Sequence, residues 1–315
     1  MPLRFTLRQL EYLVAVGDSG SIAGAAQKIN VSSPSISAAI SHLEKEFGLQ
    51  LFVRRHAQGL SLTGAGKQML ESAKAVLAQA SHLNDLSASL SQTIRGPLNV
   101  GCLVTFAQVI LPGVRRSFVE QNPKVEFRQF EYHQSDLFDG LRSGTLDVAL
   151  GYDLEIPKDL QFLSLVQLTP YAVLSAVHPL AKRAELTPQD LADYPMVLLD
   201  LPLSSDYFLS CFSAVGLRPH IVERTMDMGV MQSLVGQGFG YSIANIRPWS
   251  NRSPDGKPLQ FVPLTGAVRP MRLGLILAEG AQSSFTVAAF VAHCKDQLTP
   301  ENVDSLRSSL QGRPA

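Results

Sequence analysis

Hydrophobic residues at the start of the chain recur three and four positions apart, which is the spacing of amphipathic helices. Thr6 and Gln9 have the spacing of a capping box, and Ser21 and Ser32 stand where the N-caps of two further helices belong. Asn30 marks the short turn between those two helices. The pattern therefore predicts one helix followed by a helix-turn-helix, over residues 7–17, 22–28 and 33–47.

Residues 51–62 alternate between apolar and polar side chains and turn near Gly59, which predicts a two-stranded wing after the third helix. Arg54, Arg55 and His56 lie where such a wing would meet DNA phosphates. For Arg55 and His56 a solvated loop is an equally open interpretation. Because three-helix units are common, the helices alone leave DNA binding undecided, and the wing strengthens that prediction.

A heptad-like stripe follows the wing, from Thr63 to about residue 92. A helix of this length would span roughly 40 Å and is too thinly apolar to be stable alone. A partner helix is therefore predicted, and packing on its own domain is the alternative. The residues assigned to dimerisation are Met69, Ala73, Val76, Ala80, Leu83 and Leu90.

Beyond residue 95 short apolar strands alternate with helices. Two β-α-β-α-β series, one beginning near Leu98 and one near Pro195, predict two doubly wound lobes with parallel sheets. A strand near 272–277 and a helix near 285–298 complete the first lobe, so the chain crosses twice between the lobes and forms a hinge. The predicted divisions are a winged domain at 1–62, a linker helix at 63–94, a two-lobed domain at 95–300 (lobe 1 about 95–163 and 270–300, lobe 2 about 164–269) and a tail at 301–315.

Ligands of open α/β sheets bind beyond the carboxyl ends of the strands. By that rule the residues predicted to face one cleft are Val104, Thr105, Tyr132, Gln134, Tyr152, Ser204, Ser205, Met226, Asp227, Asn245 and Arg247. Thr105 and Ser204 begin predicted helices, whose free N–H groups suit a carboxylate or another anion. Ordinary helix capping is the alternative for each Ser and Thr and for Asp227, and a structural ion pair is the alternative for Arg247.

Charge is unevenly distributed along the chain, although Lys and Arg total 27 and Asp and Glu total 27. Residues 1–95 hold nine basic and six acidic side chains, a net charge of +3, and residues 96–315 hold 18 and 21, a net charge of −3. With 45% hydrophobic and 17% charged residues, the chain is too apolar to be disordered. This distribution favours a small basic binding module joined to a larger body.

The remaining motifs argue against several other classes of protein. Cys102, Cys211 and Cys294 lie far apart, which indicates reduced thiols in a cytoplasmic protein and neither a disulfide framework nor a metal site. No secretory leader or membrane segment is predicted. An H-E-x-x-H, G-x-S-x-G or P-loop motif is absent, so neither an enzyme nor a cofactor is expected. A solute-binding transport protein would have the two-lobed body but not the basic N-terminal module. A redox switch at Cys211 would need a second cysteine nearby.

Five short segments resemble the signature of LysR-type transcriptional regulators: 21–26 (SIAGAA), 31–37 (VSSPSIS), 43–44 (LE), 48–54 (GLQLFVR) and 62–66 (LTGAG). The resemblance extends over about residues 6–295 and is looser after residue 66. Residues 234–240 (LVGQGFG) are similar to that family's glycine-containing helix end. Ala244 and Asn245 replace the usual Leu-Pro after it, and the role of Asn245 is left open.

The resemblance implies a mainly α winged helix-turn-helix, a long linker helix and an α/β two-lobed, periplasmic-binding-protein-like domain. It also implies base contacts from Ser33, Pro34, Ser37 and Ala38 and a phosphate contact from Arg54, with His42 and Arg55 as further DNA-binding residues. The expected partners are double-stranded promoter DNA and a small-molecule effector in the cleft, with RNA polymerase as a further possible partner. The expected assembly is a homodimer that pairs into a homotetramer.

The sequence departs from the family pattern where bases are read. Gln is usual at Ser33, a cation or amide at Ala38, and cations around Ser41 and His42. Because Ser bonds permissively and Ala can only touch a thymine methyl, we expect sparse direct readout and specificity that depends on DNA shape and paired half-sites. For Ser33 and Ser37, helix capping or simple exposure is the alternative to base contact.

Overall fold

Two units make up the chain, and the computed structural model describes residues 4–55, 59–90 and 94–299 of it. The first unit is Met1–Gln92 with Gly140–Thr145, and the second is Thr93–Asp139 with Leu146–Ala315. The predicted tail at 301–315 lies outside the described residues.

The first unit has a helical core and a small antiparallel sheet. Its described elements are α1 (Leu7–Ser19), α2 (Ile22–Ile29), α3 (Ser33–Phe47), β1 (Phe52–Arg55), β2 (Gly59–Leu62) and α4 (Gly64–Leu90). The apolar faces of the first three helices bury Leu13, Val16, Ile36 and Leu43 in one core. The predicted helix-turn-helix and wing are confirmed.

Local hydrogen bonds set the ends of these helices. Thr6 and Gln9 form the predicted capping box, and Ser21 accepts the N–H of Gly24 at 2.9 Å. Asn30 has a φ of 55° and ends α2 in the left-handed conformation. The helix α1 extends beyond the predicted residue 17, because its C-cap is Gly20 with a φ of 65°.

The second unit alternates strands and helices over most of its length. Its described elements are β3 (Gly96–Leu103), α5 (Val104–Val109), α6 (Leu111–Gln121), β4 (Val125–Tyr132), α7 (Gln134–Arg142), β5 (Val148–Tyr152), β6 (Leu160–Leu168), β7 (Tyr171–Ser175), α8 (Pro188–Leu191), β8 (Pro195–Leu199), α9 (Ser204–Ser213), β9 (His220–Thr225), α10 (Met228–Gly236), β10 (Ser242–Ala244), β11 (Leu259–Pro263), β12 (Met271–Ala278) and α11 (Phe285–Gln297), with a 3-10 turn at Ala281–Ser283.

Two separate sheet systems form the two lobes of this unit. In lobe 1 the strand order is β4-β3-β5-β12-β6, with β3 parallel to both of its neighbours and β12 antiparallel to both of its own. In lobe 2, β7 lies between β10 and β11, and β8 pairs in parallel with β9. A parallel bridge between Met196 and Tyr241 joins β8 to the end of the segment before β10.

The chain passes between the lobes twice, as predicted, after β6 and before β12. Asp153 fixes the second crossing: its carboxylate lies 3.2 Å from Arg269 Nη1 and 3.5 Å from Arg272 Nε. It also accepts the backbone N–H of Arg272 at 2.8 Å. These three contacts of one carboxylate hold the second crossing in place.

The fold differs from the sequence-based prediction at several elements of the second unit. The predicted helix at 108–121 is divided into α5 and α6, because Pro112 in the first turn of α6 has no N–H to continue a helix from Val104. The strands β6, β7 and β11 and the short helix α8 were not predicted. Every residue of β7 is buried, so its sequence has none of the alternation that marks a half-exposed strand.

Candidate nucleic-acid interface and inter-lobe cleft

The helix α3 begins with a well-formed cap. The hydroxyl of Ser32 accepts the backbone N–H of Ser35 at 3.3 Å, and the two hydroxyl oxygens lie 2.7 Å apart. Pro34 occupies the first turn, where its missing N–H leaves no bond unmade. The buried face of the helix carries Ile36 and Leu43, which fix its orientation on the core.

The opposite face of α3 is the surface predicted to meet DNA. Pro34, Ser37, Ala38 and His42 are exposed, and Ser33 is half-buried. Because they lie four residues apart in two series, they form one strip along the first two and a half turns. The strip carries hydroxyl, methyl and imidazole groups and no Lys or Arg, which agrees with the expected sparse readout.

The wing is attached to α3 through Glu44. One carboxylate oxygen of Glu44 accepts the backbone N–H groups of Leu51 at 2.8 Å and Phe52 at 3.2 Å. The N–H of Leu60 donates to the carbonyl of Gly20 at 2.9 Å and so ties β2 to the turn before α2. Both strands of the wing are thereby held against the helix-turn-helix.

Arg54 and Arg55 belong to β1 by their backbone, which pairs with Leu60 and Gly59 of β2. Their side chains lie outside the part of the chain that the structure describes, as does the whole of His56. Their predicted phosphate contacts therefore stay predictions.

The linker helix α4 begins inside the core of the first unit. Ala73 is buried there, and Met69 packs against the same cluster. A Cβ atom on Gly17 would lie 2.8 Å from Leu70 Cδ1, so α1 and α4 approach closely at a glycine. The structure therefore corrects the assignment of Ala73 to dimerisation, because its side chain is buried within its own chain, whereas Met69 is half-buried and its assignment stays a prediction.

The rest of the predicted stripe begins with Val76, which is 44% exposed, and Ala80, which is half-buried. The side chains of Leu83 and Leu90 lie outside the described residues. Dimerisation through these four residues stays a prediction.

A cavity of about 560 Å³ lies between the two lobes of the second unit. It is lined by the start of α5, the end of β4 and the start of α10. Of the residues predicted to face a cleft, Val104, Thr105, Met226 and Asp227 line it. Asp227 also accepts the N–H of Val230 at 2.9 Å, so it acts as the N-cap of α10 as well as a cavity wall.

A smaller space of about 20 Å³ adjoins this cavity and shares Thr105 and Met228 with it. Three more predicted residues line the smaller space: Tyr152, Ser204 and Asn245. Burial raises the pKa of Tyr152 far above its usual range, although the neighbouring Thr105 hydroxyl acts in the opposite direction. The tyrosine is therefore a neutral phenol at physiological pH.

Four predicted residues do not line either space. Gln134 is buried, with Nε2 donating to the carbonyls of Tyr152 and Leu154 and Oε1 accepting the N–H of Tyr152. Tyr132 stacks on Phe130 with ring centroids 6.2 Å apart, on the other face of β4. These two side chains are corrections to the predicted cleft set.

The other two are Ser205 and Arg247. The backbone N–H of Ser205 donates to Leu201 at 3.0 Å. The guanidinium of Arg247 lies 4.8 Å from the ring centre of Phe261 and donates to Asn251 at 2.9 Å, which supports its structural interpretation. Neither residue lines the cavity or the smaller space.

Sequence reasoning missed Glu131, His133, Gln108 and Thr225, which line the cavity. The signal that could have found the first two is strand alternation. Since β4 continues through Tyr132, residues 131 and 133 share one face and residue 132 takes the other.

The three cysteines are buried. Burial raises the pKa of Cys211 to about 11, so its thiol is protonated at physiological pH. This observation gives no support to a redox role for Cys211. Across the described ranges, none of the helices combines the length and hydrophobicity needed to cross a membrane.

Family models match both units. The model described as "Bacterial regulatory helix-turn-helix protein, lysR family" matches residues 7–67, and the model described as "LysR substrate binding domain" matches residues 91–299. The first match contains the capped helices and the wing, and the second contains both lobes.

Individual proteins give the same picture. The HTH-type transcriptional regulator CysB of Haemophilus influenzae is 30% identical over 247 residues, which are 75% of this chain and 74% of that protein. The crystal structure of HinK, a LysR family transcriptional regulator from Pseudomonas aeruginosa, is 34% identical with a TM-score of 0.63 and covers 94% of this chain and 99% of that one. CbnR in complex with its target DNA is similar in fold, with 24% identity, a TM-score of 0.67 and coverage of 93% and 99%.

Proposed function

The chain belongs to the LysR family of bacterial regulators, and from this premise we propose which of its residues carry out DNA binding and effector binding. It is a DNA-binding transcriptional regulator with an effector-binding domain and not an enzyme. In the proposal, α3 enters the major groove and the β1–β2 wing follows the neighbouring backbone. The effector binds between the lobes of the second unit.

The exposed strip at the start of α3 is the observation that carries the DNA-binding proposal. Ser33, Ser37 and His42 offer hydrogen bonds to base edges, and Ala38 offers a methyl contact to thymine. Pro34 can only pack against the groove. With so few polar groups on one helix, affinity comes mainly from phosphate contacts, for which Arg54 and Arg55 are the proposed residues. Discrimination between sequences then depends on DNA shape and on the distance between half-sites.

Two chains are needed for two half-sites, and α4 is the proposed pairing element. Val76 presents an exposed apolar side chain beside Leu77, the last residue of α4 that packs against the core cluster. Since α4 has 27 residues, about half of it extends past Leu77, and a helix of this length gains stability from a partner. We place Val76, Ala80, Leu83 and Leu90 in the dimer seam. Two such dimers form the proposed tetramer.

The proposed switch is closure of the cleft on its ligand. A ligand shifts the equilibrium between two arrangements only by binding one of them more tightly. Thr105 of lobe 1 and Asn245 of lobe 2 border the same small space, so a ligand that bonds to both favours the closed arrangement. Closure then changes the promoter-bound geometry of the assembly.

Fluorescence anisotropy with DNA from immediately upstream of the protein's own gene tests the proposal. Titrations at two salt concentrations, with and without competitor DNA, should reveal a specific complex that weakens as salt rises. Arg54→Ala should weaken binding to all sequences alike and reduce the salt dependence, whereas Ser37→Ala should mainly reduce discrimination between sequences.

Arg116→Ala is the matched control, because Arg116 is an exposed arginine of α6 that pairs with Glu120 at 2.9 Å. It should leave both affinity and salt dependence unchanged. Equal displacement of the promoter fragment by unrelated DNA at both salt concentrations would overturn the proposed DNA-binding surface.

A further inference from the structure

The charged side chains that line the inter-lobe cavity are acidic. Glu131 stands at the end of β4 on the lobe 1 side, and Asp227 stands at the start of α10 on the lobe 2 side. His133 is the other titratable residue among the described lining residues, and none of them is Lys or Arg. An anion would therefore meet two carboxylates on entering, while a cation would be attracted to both.

Two of the helix ends at the cleft, those of α9 and α10, have partners within the chain, whereas the six-residue helix α5 begins without a side-chain cap. The backbone N–H of Ser204 donates to the carbonyl of Pro202 at 2.8 Å, and that of Ser205 donates to Leu201 at 3.0 Å. At α10 the carboxylate of Asp227 takes the capping position. The positive end of the α10 dipole is thus neutralised by a residue of the chain itself. The N-termini of α9 and α10 therefore do not support the expectation of an anionic ligand.

Two buried polar atoms of the cleft need partners. Asn245 is 2% exposed, and its Nδ2 donates to the carbonyl of Leu168 at 3.4 Å. That bond fixes the orientation of the amide, because the reverse orientation would set two carbonyl oxygens against each other. Its Oδ1 has no hydrogen-bond partner among the described residues, and the Oγ1 of Thr105, which is 7% exposed, makes no bond of ordinary geometry there, although it lies near enough to the Tyr152 phenol to lower its pKa.

These unpartnered atoms define the complementary groups of a ligand. An amide oxygen only accepts hydrogen bonds, so Asn245 requires an N–H or O–H donor. The hydroxyl of Thr105 can either donate or accept a hydrogen bond. Because a buried acceptor without a partner is unfavourable, a ligand that supplies a donor here gains affinity from it.

Four of the other lining residues are apolar, which favours a ligand with an organic body. Val104, Ala107, Met226 and Met228 line the same space. A volume of about 560 Å³ is in the range of small-molecule sites. A bare metal ion would leave these surfaces and the buried acceptors uncovered.

We infer that the effector is a small organic cation, whose ammonium or guanidinium group lies between Glu131 and Asp227 and whose donors reach Asn245 and Thr105. The inference rests on the proposed function, because it names the ligand class of the same cleft. Glu131 and Asp227 come from different lobes, so closure would bring two like charges together, and a cation between them would offset their repulsion. Ligand charge and lobe closure are therefore coupled.

The test compares amines with carboxylates of the same skeleton on the full-length protein. The probes are phenethylamine with hydrocinnamate, and butylamine with valerate, each titrated by calorimetry and by thermal shift at low ionic strength. Because one unit charge beside two carboxylates changes the interaction by at least about 1.4 kcal/mol, each amine should bind about tenfold more tightly than its carboxylate. Raising the salt concentration should reduce this preference.

The double variant Glu131→Gln with Asp227→Asn should lose the preference. Asn is as good an N-cap as Asp, so α10 keeps its cap. The control is Glu120→Gln with Glu126→Gln, which changes the net charge equally at two exposed residues that pair with Arg116 and Arg128. It should keep the preference. Thr105→Val, an isosteric change, should weaken amine binding without altering the charge.

Carboxylates that bind as tightly as their amines, or no thermal shift with any probe at millimolar concentration, would overturn the inference. So would a control pair that loses the preference as fully as the cavity pair. A specific promoter complex together with either result leaves the proposed function intact and removes only the cationic ligand. A clear amine preference without specific DNA binding would support the cationic ligand and overturn the proposed DNA-binding function.

Discussion

The carboxylate of Glu44 accepts the backbone N–H of Leu51 at 2.8 Å, and the same oxygen accepts that of Phe52 at 3.2 Å. Glu44 is on the recognition helix and the two amides begin the wing, so one side chain sets the position of the wing relative to the helix. Hydrogen bonds to a charged acceptor are among the stronger ones in proteins. The position of β1 therefore depends on a contact seven residues apart in sequence.

Glu44→Ala should release the wing from α3. Loss of hydrogen bonds to a charged group costs about 1.5–3 kcal/mol, so hydrogen exchange at Leu51 and Phe52 should accelerate by roughly tenfold or more. Affinity for promoter DNA should fall as well. Glu46→Ala is the control, because Glu46 lies on α3 as Glu44 does, but its carboxylate lies 3.8 Å from Arg4, which precedes α1. Unchanged protection of both amides in Glu44→Ala would contradict this role.

Gly66→Ala should destabilise the first unit. A Cβ atom there would overlap the carbonyl oxygen of Leu51, which also accepts the N–H of Thr63 at 2.9 Å. Because the obstructing atom belongs to the backbone, the change should cost about 1–3 kcal/mol, measured as a lower melting temperature by calorimetry.

Gly64→Ala is the matched control two residues earlier in the same helix. A Cβ atom at Gly64 would meet nothing within 4 Å. Alanine also restricts the unfolded chain more than glycine, so this variant should be neutral or more stable by up to about 1 kcal/mol. Equal effects of the two substitutions would show that the close approach to Leu51 is not the cause.

The parts of the fold that sequence predicted well depend on short-range chemistry. The caps at Thr6, Ser21 and Ser32 each act on a backbone N–H three residues away, so a short window of sequence contains both partners. The wing and the parallel strands β3, β4 and β5 follow from alternation and spacing in the same way.

The cleft was predicted less completely because its geometry depends on distant contacts. Gln134 was selected as a ligand residue, but its amide bonds to residues 18 and 20 positions later, which no local pattern reveals. Tyr132 was selected because it follows a predicted strand, whereas β4 runs through it and turns it away. The acidic character of the cavity emerged only when β4 and α10 came together.

The second unit should become less stable as the pH falls below about 6.5. His293 is buried between α11 and α6, and its Nε2 lies 2.8 Å from the hydroxyl of Ser117. Burial lowers the pKa of His293, outweighing the bond to Val114 and the charge of Asp296, which raise it. Burial also lowers the pKa of His178, whose Nδ1 accepts the N–H of Leu180 at 3.2 Å.

A lowered pKa in the folded state means that the unfolded chain binds a proton first as the solution is acidified. The free energy of unfolding is therefore at its full value when the pH is above the unfolded-state pKa. It decreases as the pH falls through the lower, folded-state pKa. Urea unfolding followed by the fluorescence of Trp249, the single tryptophan, should show an earlier midpoint at about pH 5.5 than at about pH 7.5. His293→Asn should reduce that difference, and adding His178→Asn should reduce it further. A pH difference unaffected by both changes would exclude these two histidines as its source.

Val76→Glu should prevent dimerisation without unfolding the first unit. Val76 is 44% exposed, so a charge there remains in water in the single chain, but in a paired helix it would face apolar side chains. Light scattering coupled to size exclusion should report a monomer or a smaller assembly with an unchanged helix content by circular dichroism. Ala75→Glu, at the neighbouring exposed residue, should leave the assembly intact. Ala73→Glu should instead unfold the head, because Ala73 is 2% exposed in its own core. If Val76→Glu and Ala75→Glu assemble equally, the seam lies elsewhere on α4 or on another element.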